Sequence, residues 1–448
     1  MPTTLAAIMF SAATLFAAER PNFIIMIADD VGWNDIGAYG HPRVKTPHID
    51  QMASAGIRFD SAFLTCSSCS PSRCSILTGR YPHSTGAAEL HMPLPADQVV
   101  FAGLLKQAGY YTASAGKWHI GEPAKKNFDR IVRGGPSGCE KWETILRERP
   151  RDQPFFFWFA SFDAHRGYRP NTIDKPHTRE EIVVPPFLPD HPEVRDDLGM
   201  YYDEISRLDG YVGKVMRLLQ EQGIADNTFV LFMSDNGRPF PRSKTTVYDS
   251  GVKTPFIVHW PSGVKPGTTT ASLVSSVDIA PTILELAQVP QSPTFQGKSF
   301  TPILKNPQAE TRQYVFSEHN WHDYQAFERS VRSKDFLYIY NALPQLTGSP
   351  PADAVNSPTF RAMLKLDEAG KLTDDQRAPL VAPRPQEELY EVMQDEYQLK
   401  NLANDPAYAK TLSTMRAEYQ QWAKKTDDPV PSRFTPDKFD RRTGKPLK

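Results

Sequence analysis

The chain has 448 residues, more than one hydrophobic core usually organises, so a large lobe and a smaller one are expected. Its 51 Lys and Arg are balanced by 52 Asp and Glu. Long-range attraction to nucleic acid or to an anionic membrane therefore has no compositional support, and any anion site must be local.

Residues 1–18 contain the apolar run Leu5 to Phe10 and then Ala12 to Ala18, too short to span a bilayer but suited to a signal peptide. Export to a periplasmic, extracellular or lysosome-like compartment is expected; a buried N-terminal segment is the alternative. No later run is long and apolar enough for a membrane helix. From Asn22 to about Val258, short apolar runs alternate with amphipathic stretches, which predicts an α/β core with a mostly parallel central sheet flanked by helices. Asn22 to Ala28 reads as a buried strand ending at Asp29-Asp30. Cys66, Cys69, Cys74 and Cys139 are too few and too unevenly spaced for a disulfide framework or a zinc pattern. In an exported chain Cys66 and Cys74 have the option of pairing, with packing as the plainer reading. Asp97 to Ala108 has helical spacing, and Tyr111 to Ala115 reads as a strand ending at Gly116-Lys117-Trp118-His119. Pro154 to Phe162 is an aromatic strand ending at Asp163-Ala164-His165. Ile205, Leu208, Val212, Val215 and Leu219 stripe one helix, and Phe229 to Met233 is the next strand, ending at Ser234-Asp235-Asn236-Gly237. Four strands thus deliver polar residues past their carboxyl ends, the edge where open α/β sheets form ligand crevices, so one shared site is expected. Residues 19–307 are taken as the catalytic domain. Residues 308–448 are taken as a smaller C-terminal α+β domain, with strands at Tyr314 to Phe316 and Phe336 to Tyr340, a polar, proline-rich stretch from Pro344 to Gln386, a closing helix at Leu412 to Lys425, and a loosely held tail from Pro429.

Local chemistry points to an anion site at Cys69. Pro71 suits the first turn of a helix and Ser70 can cap it, so backbone donors and the helix dipole face an anion there, and Arg73 adds a fork of donors matched to sulfate or phosphate. Asp29-Asp30 and Asp235-Asn236 offer oxygen ligands from separate strand ends, a hard set suited to Ca²⁺ or Mg²⁺ rather than zinc.

The run Cys69-Ser70-Pro71-Ser72-Arg73-Cys74-Ser75-Ile76-Leu77-Thr78-Gly79-Arg80 resembles, over its whole length, the signature of the type I sulfatases of the alkaline phosphatase superfamily. That resemblance implies an alkaline phosphatase-like fold and a Cys69 oxidised to formylglycine by a separate maturation enzyme that reads Cys-x-Pro-x-Arg. One hydroxyl of the hydrated aldehyde attacks sulfur, and deprotonating the other expels sulfate, whereas a serine would be left as a stable ester. It also implies Ca²⁺, with Mg²⁺ as the other candidate, held by Asp29, Asp30, Cys69, Asp235 and Asn236. Lys117 and His119 resemble the family's second motif, in which the lysine contacts sulfate and the histidine hydrogen-bonds the formylglycine. His165 and Lys244, four residues before Tyr248, occupy the places of the candidate general acids. The family's Pro before that histidine is Ala164 here, and its Tyr-Glu-Gly-Gly is Tyr248-Asp249-Ser250-Gly251.

Ser67 to Arg73, Val184 to Pro189 and Asp235 to Pro241 are most similar to heparan N-sulfatases, a likeness covering roughly Asn22 to Pro261. Lys244 stands where those enzymes carry an arginine, and Met92-Pro93-Leu94-Pro95 follows Leu90-His91 in place of their polar run. These changes reshape the rim rather than the sulfate-handling groups. His91, with His319, Trp321, His322 and Asp323 from Glu318 to Asp323, is the candidate substrate rim, including an aromatic platform for a sugar face. The expected activity is hydrolysis of sulfate esters, or N-sulfate, on a sulfated saccharide. The rival readings are a phosphodiesterase or phosphonate monoester hydrolase of the same superfamily, and a non-catalytic sulfoglycan-binding protein.

Overall fold

In the computed structural model the described residues are 20–348 and 350–447, so the expected signal peptide lies outside them. In chain order the strands of the large lobe are β1 (Asn22–Ala28), β2 (Ile57–Phe59), β3 (Ala62–Phe63), β4 (Tyr111–Gly116), β5 (Arg130–Val132), β6 (Phe155–Ala160), β7 (Thr228–Ser234), β8 (Phe256–His259), β9 (Thr268–Thr270) and β10 (Val274–Ser275). Eight of them form one sheet in the order β5-β4-β6-β1-β7-β8-β2-β9, while β3 pairs with β10. The run β5-β4-β6-β1-β7 is parallel throughout; only β8 is antiparallel to its neighbours.

The central strand β1 is buried along its whole length because both faces are covered. Phe23, Ile25 and Ile27 point to the side that holds Cys74, Ile76 and Leu77 of the helix Cys69–Thr78. Ile24, Met26 and Ala28 point to the opposite side, against Leu198, Ile205, Leu208, Val212 and Val215 of the long helix Pro192–Glu221. Each large side chain so buried contributes roughly 1.5–3 kcal/mol. Because β4, β6, β1 and β7 are adjacent and parallel, their carboxyl ends open on one edge of the sheet. The helix expected over residues 97–108 is shorter, Phe101–Gln107, because Val100 is still extended.

The C-terminal lobe is a four-stranded antiparallel sheet of β11 (Val315–His319), β12 (Glu328–Arg332), β13 (Phe336–Asn341) and β14 (Glu387–Glu391), covered by the helix Ala409–Thr426. It joins the large lobe through Glu318, whose backbone N–H donates to the Thr65 carbonyl at 2.8 Å. The Glu318 side chain meets His83 at 2.9 Å, and Arg329 binds Asp428 through two contacts of 2.6 and 2.8 Å. Burial opposes protonation of His83, but the Glu318 carboxylate outweighs it and raises the imidazole above its usual value. The stability contributed by the charged ring is complete below the ordinary histidine value of about 6.5 and is lost as pH rises through the raised folded value. The melting temperature should therefore fall with rising pH across that window, and His83→Gln should flatten the dependence in a thermal-shift series.

The polar, proline-rich stretch after Pro344 carries the helices Ala352–Val355 and Pro358–Glu368, the second packed on the Pro192–Glu221 helix through Ala362 and Met363, with Thr359 Oγ1 donating to Asp197 at 2.6 Å. The tail from Pro429, expected to be loosely held, is instead tied down. The Trp321 indole donates to the Pro436 carbonyl at 2.8 Å, Lys438 N–H donates to the Asp323 carbonyl at 2.8 Å, and Arg441 pairs with Asp437 at 2.7 Å. These polar groups bond one another across the chain.

Candidate active site

The loop from β3 enters the helix Cys69–Thr78 with Ser68 still extended, so Ser68 is the N-cap and Cys69 the first helical residue. The N-cap expected at Ser70 thus lies two residues earlier, and Ser70 Oγ instead accepts from His91 N–H at 2.8 Å. Cys69 is 2% exposed at the positive end of this ten-residue helix, and its Sγ lies 3.8 Å from both Asp29 Oδ1 and Asp30 Oδ1. All four cysteines are buried and free, so Cys66 and Cys74 are packing groups.

Asp29, Asp30, Asp235 and Asn236 stand directly beyond β1 and β7, all fully buried. Asp30 takes a left-handed backbone (φ 66°), which turns its carboxylate inward to meet Lys244 at 2.8 Å and the Asn236 amide. Arg73 Nε donates to Asp235 Oδ2 at 2.8 Å, and Lys117 pairs with Asp29. Gly116 is required just before that lysine: at φ 101°, a Cβ would lie 1.8 Å from the Ala160 carbonyl oxygen of β6. Three buried carboxylates thus face three buried cations. Burial disfavours the charged lysines and arginine, but Asp29, Asp30 and Asp235 outweigh it and raise Lys117, Lys244 and Arg73 above their usual values. Burial pushes the Cys69 thiol far up, so as a plain cysteine it stays un-ionised.

Asp29, Cys69 and Asp235 bring one potential ligand atom each within 4.8 Å of one another, and the buried Asn236 Oδ1 has no hydrogen-bond partner. An orphaned acceptor beside clustered carboxylates fits a hard dication, and a dication entering with sulfate preserves the charge balance.

His119 has a left-handed backbone (φ 49°) and a ring 2.7 Å from the equally left-handed, exposed His91. Burial first, then Lys117 and Arg73, hold His119 at a pKa of about 2, so it is neutral. Trp118 packs edge-on against Phe128 with its indole N–H on the Gly121 carbonyl. His165 Nδ1 donates to the Arg166 carbonyl, which leaves Nε2 facing Asp353 Oδ2 at 3.6 Å. The candidate rim divides. His322 is buried, 2.7 Å from Ser68 Oγ, and driven well below its usual value by burial and by Lys244. His319 is buried against Glu328 at 3.6 Å. Trp321 is half-buried with its N–H engaged by Pro436, and Asp323 accepts from Ala352 N–H at 3.0 Å. Sequence reasoning missed Asp353, which the helix after Pro351 brings to within 4.8 Å of Asp30 and His165. It lies in the polar, proline-rich stretch after Pro344, and no local motif marks it.

A parallel sheet that converges a capped cysteine, paired cations and a carboxylate cluster on one edge defines an anion-handling α/β hydrolase. The sulfatase family model matches residues 21–289, and that of the C-terminal part of N-sulphoglucosamine sulphohydrolase matches residues 242–340. The chain belongs to the sulfatase family, close to its sulfamidase-like members. An ulvan-active sulfatase of Formosa agariphila is 31% identical over 92% of this chain and 76% of its own length. Human N-sulphoglucosamine sulphohydrolase is 31% identical over 93% of this chain and 92% of its own. A solved structure holding its substrate D-glucosamine-2-N,6-O-disulfate superposes with a TM-score of 0.71 at 21% identity, covering 92% of this chain and 99% of that one. A 2-O glycosaminoglycan sulfatase gives 0.70 at 21% identity, covering 92% and 93%.

Proposed function

We propose that this enzyme hydrolyses sulfate esters or N-sulfate groups of a sulfated carbohydrate with a formylglycine made from Cys69 by a formylglycine-generating enzyme. The observation that carries the reading is the convergence of Cys69, Arg73, Lys117 and Lys244 with Asp29, Asp30 and Asp235 around one buried point. Asp29, Asp30, Asp235 and Asn236, together with residue 69, would hold a Ca²⁺ ion, with Mg²⁺ the alternative, and the ion supplies Lewis-acid polarisation of a sulfate oxygen. The aldehyde hydrate supplies the attacking hydroxyl and the means of releasing sulfate.

The chain's own groups do the rest. Arg73 and Lys117, already charged and oriented by Asp235 and Asp29, offer fixed donors to the sulfate oxygens with no reorganisation during reaction. Neutral His119, its Nε2 held by His91 and its buried Nδ1 without a partner, would offer that nitrogen to the residue-69 side chain. His165 and Lys244 are the candidate donors of a proton to the leaving oxygen or nitrogen; a proton on His165 Nε2 has the Asp353 carboxylate beside it. The apolar run in residues 1–18 supports export.

Parallel assays on an aryl sulfate, N-sulfoglucosamine and an aryl phosphodiester test the reading, using protein co-produced with the maturation enzyme; dominant phosphodiester turnover would overturn it. His322→Ala frees Ser68 at the entrance to the Cys69 helix, so kcat on a sulfated saccharide should fall about tenfold. Unchanged kcat would remove His322 from the site.

A further inference from the structure

Beside His165, the segments that follow β5 and β6 bound an open cleft of about 410 Å³, a volume suited to a sugar-sized ligand. Four arginines line it, and they fall into two classes. Arg166 is tied to Asp197 by two bonds of 2.8 and 2.9 Å, and Arg207 to Asp163 at 2.9 Å and Glu204 at 2.5 Å. Arg133 and Arg169 are exposed, and among the described residues neither has a carboxylate partner; Arg133 rests only on the Phe162 ring, 5.4 Å from its centre. Their guanidinium donors are therefore available to a ligand. Burial first, then Asp163, raise the Glu204 carboxyl above its usual value. The walls also recede, since a Cβ at Gly135 or Gly167 would meet nothing within 4 Å.

We propose that this cleft binds a second anionic group, a carboxylate or a further sulfate, on the sugar unit attached to the one being desulfated, with Arg133 and Arg169 as its ligands. His165 is shared by the cleft and by the cluster with Asp30 and Asp353, so a saccharide with its reacting sulfate at residue 69 extends past that ring into the arginines. Forked guanidinium donors match either oxyanion, whereas a neutral sugar leaves them hydrated. This inference rests on the sulfated-carbohydrate reading.

The test is calorimetric binding to Cys69→Ala protein, which holds a saccharide without consuming it, with and without Arg133→Ala and Arg169→Ala. The probes are N-sulfoglucosamine and a heparan disaccharide carrying N-sulfoglucosamine linked to a uronate. The arginine substitutions should weaken the disaccharide at least about tenfold and leave the monosaccharide within about twofold. Loss of that effect on a carboxyl-reduced disaccharide assigns the cleft to carboxylate; an effect seen only with a 2-O-sulfated uronate assigns it to sulfate. Equal disaccharide affinity in both proteins, including no binding by either, overturns the proposal, as does an equal loss for the monosaccharide. Failure of the hydrolytic reading shows separately, as absence of turnover by protein that retains Cys69.

Discussion

Cys69→Ala should lower turnover of any sulfated substrate by at least about 10⁴-fold, because a residue whose removal leaves no attacking atom acts as a unit with its partners. The fold should survive. The thiol's bonds are two weak ones of 3.8 Å to Asp29 and Asp30, and the pairs Arg73 to Asp235, Lys117 to Asp29 and Lys244 to Asp30 do not depend on it. Cys69→Ser separates the aldehyde mechanism from simple hydroxyl attack: the serine should turn over at most once, so a burst of product without steady-state release is expected. Intact-peptide mass spectrometry of the parent should show residue 69 lighter by the exchange of thiol for aldehyde. A parent that is fully active with an unmodified cysteine would overturn the proposal.

Asp235→Asn should cost about 10³-fold in kcat and empty the site of its dication, measured by elemental analysis, because one anionic ligand and the anchor of Arg73 are lost together. Asp235→Ala should in addition destabilise the fold by about 3–5 kcal/mol, since Arg73, fully buried and 2.7 Å from that carboxylate, would keep its charge with only Asp29 at 3.8 Å to answer it. Chelation of the parent should abolish turnover reversibly, with Ca²⁺ restoring it. Asp235→Asn protein that keeps both metal and rate would remove the metal assignment.

These two residues also show what was legible in the chain. Asp235 and Asp29 were readable because each follows a short, wholly apolar strand, and parallel strands in one sheet place their carboxyl ends on one edge. Cys69 and Arg73 were readable because the run Cys69 to Arg80 resembles the sulfatase signature, and the helix entry it implies suits an anion site. His165 was readable from its place after the aromatic strand β6, where the resemblance puts a histidine.

The misses share a different origin. Ser68, rather than Ser70, is the N-cap residue because the helix begins two residues earlier than expected, and Ser70 is taken by His91. Asp353, 323 residues after Asp30 by no recognisable motif, reaches the site only because the helix Pro358–Glu368 packs back on the large lobe. The unpaired state of Arg133 and Arg169 depends on where every carboxylate in the neighbourhood finally lands. By itself, then, the sequence determined the mostly parallel sheet and the polar and charged groups at its strand ends, because strand periodicity is governed by near neighbours, while the proposed nucleophile rests on the likeness of the Cys69 run to the sulfatase signature. Only the tertiary structure decided which charges are spent on one another and which are left for a substrate, because pairing between distant segments is set by packing and burial rather than by spacing.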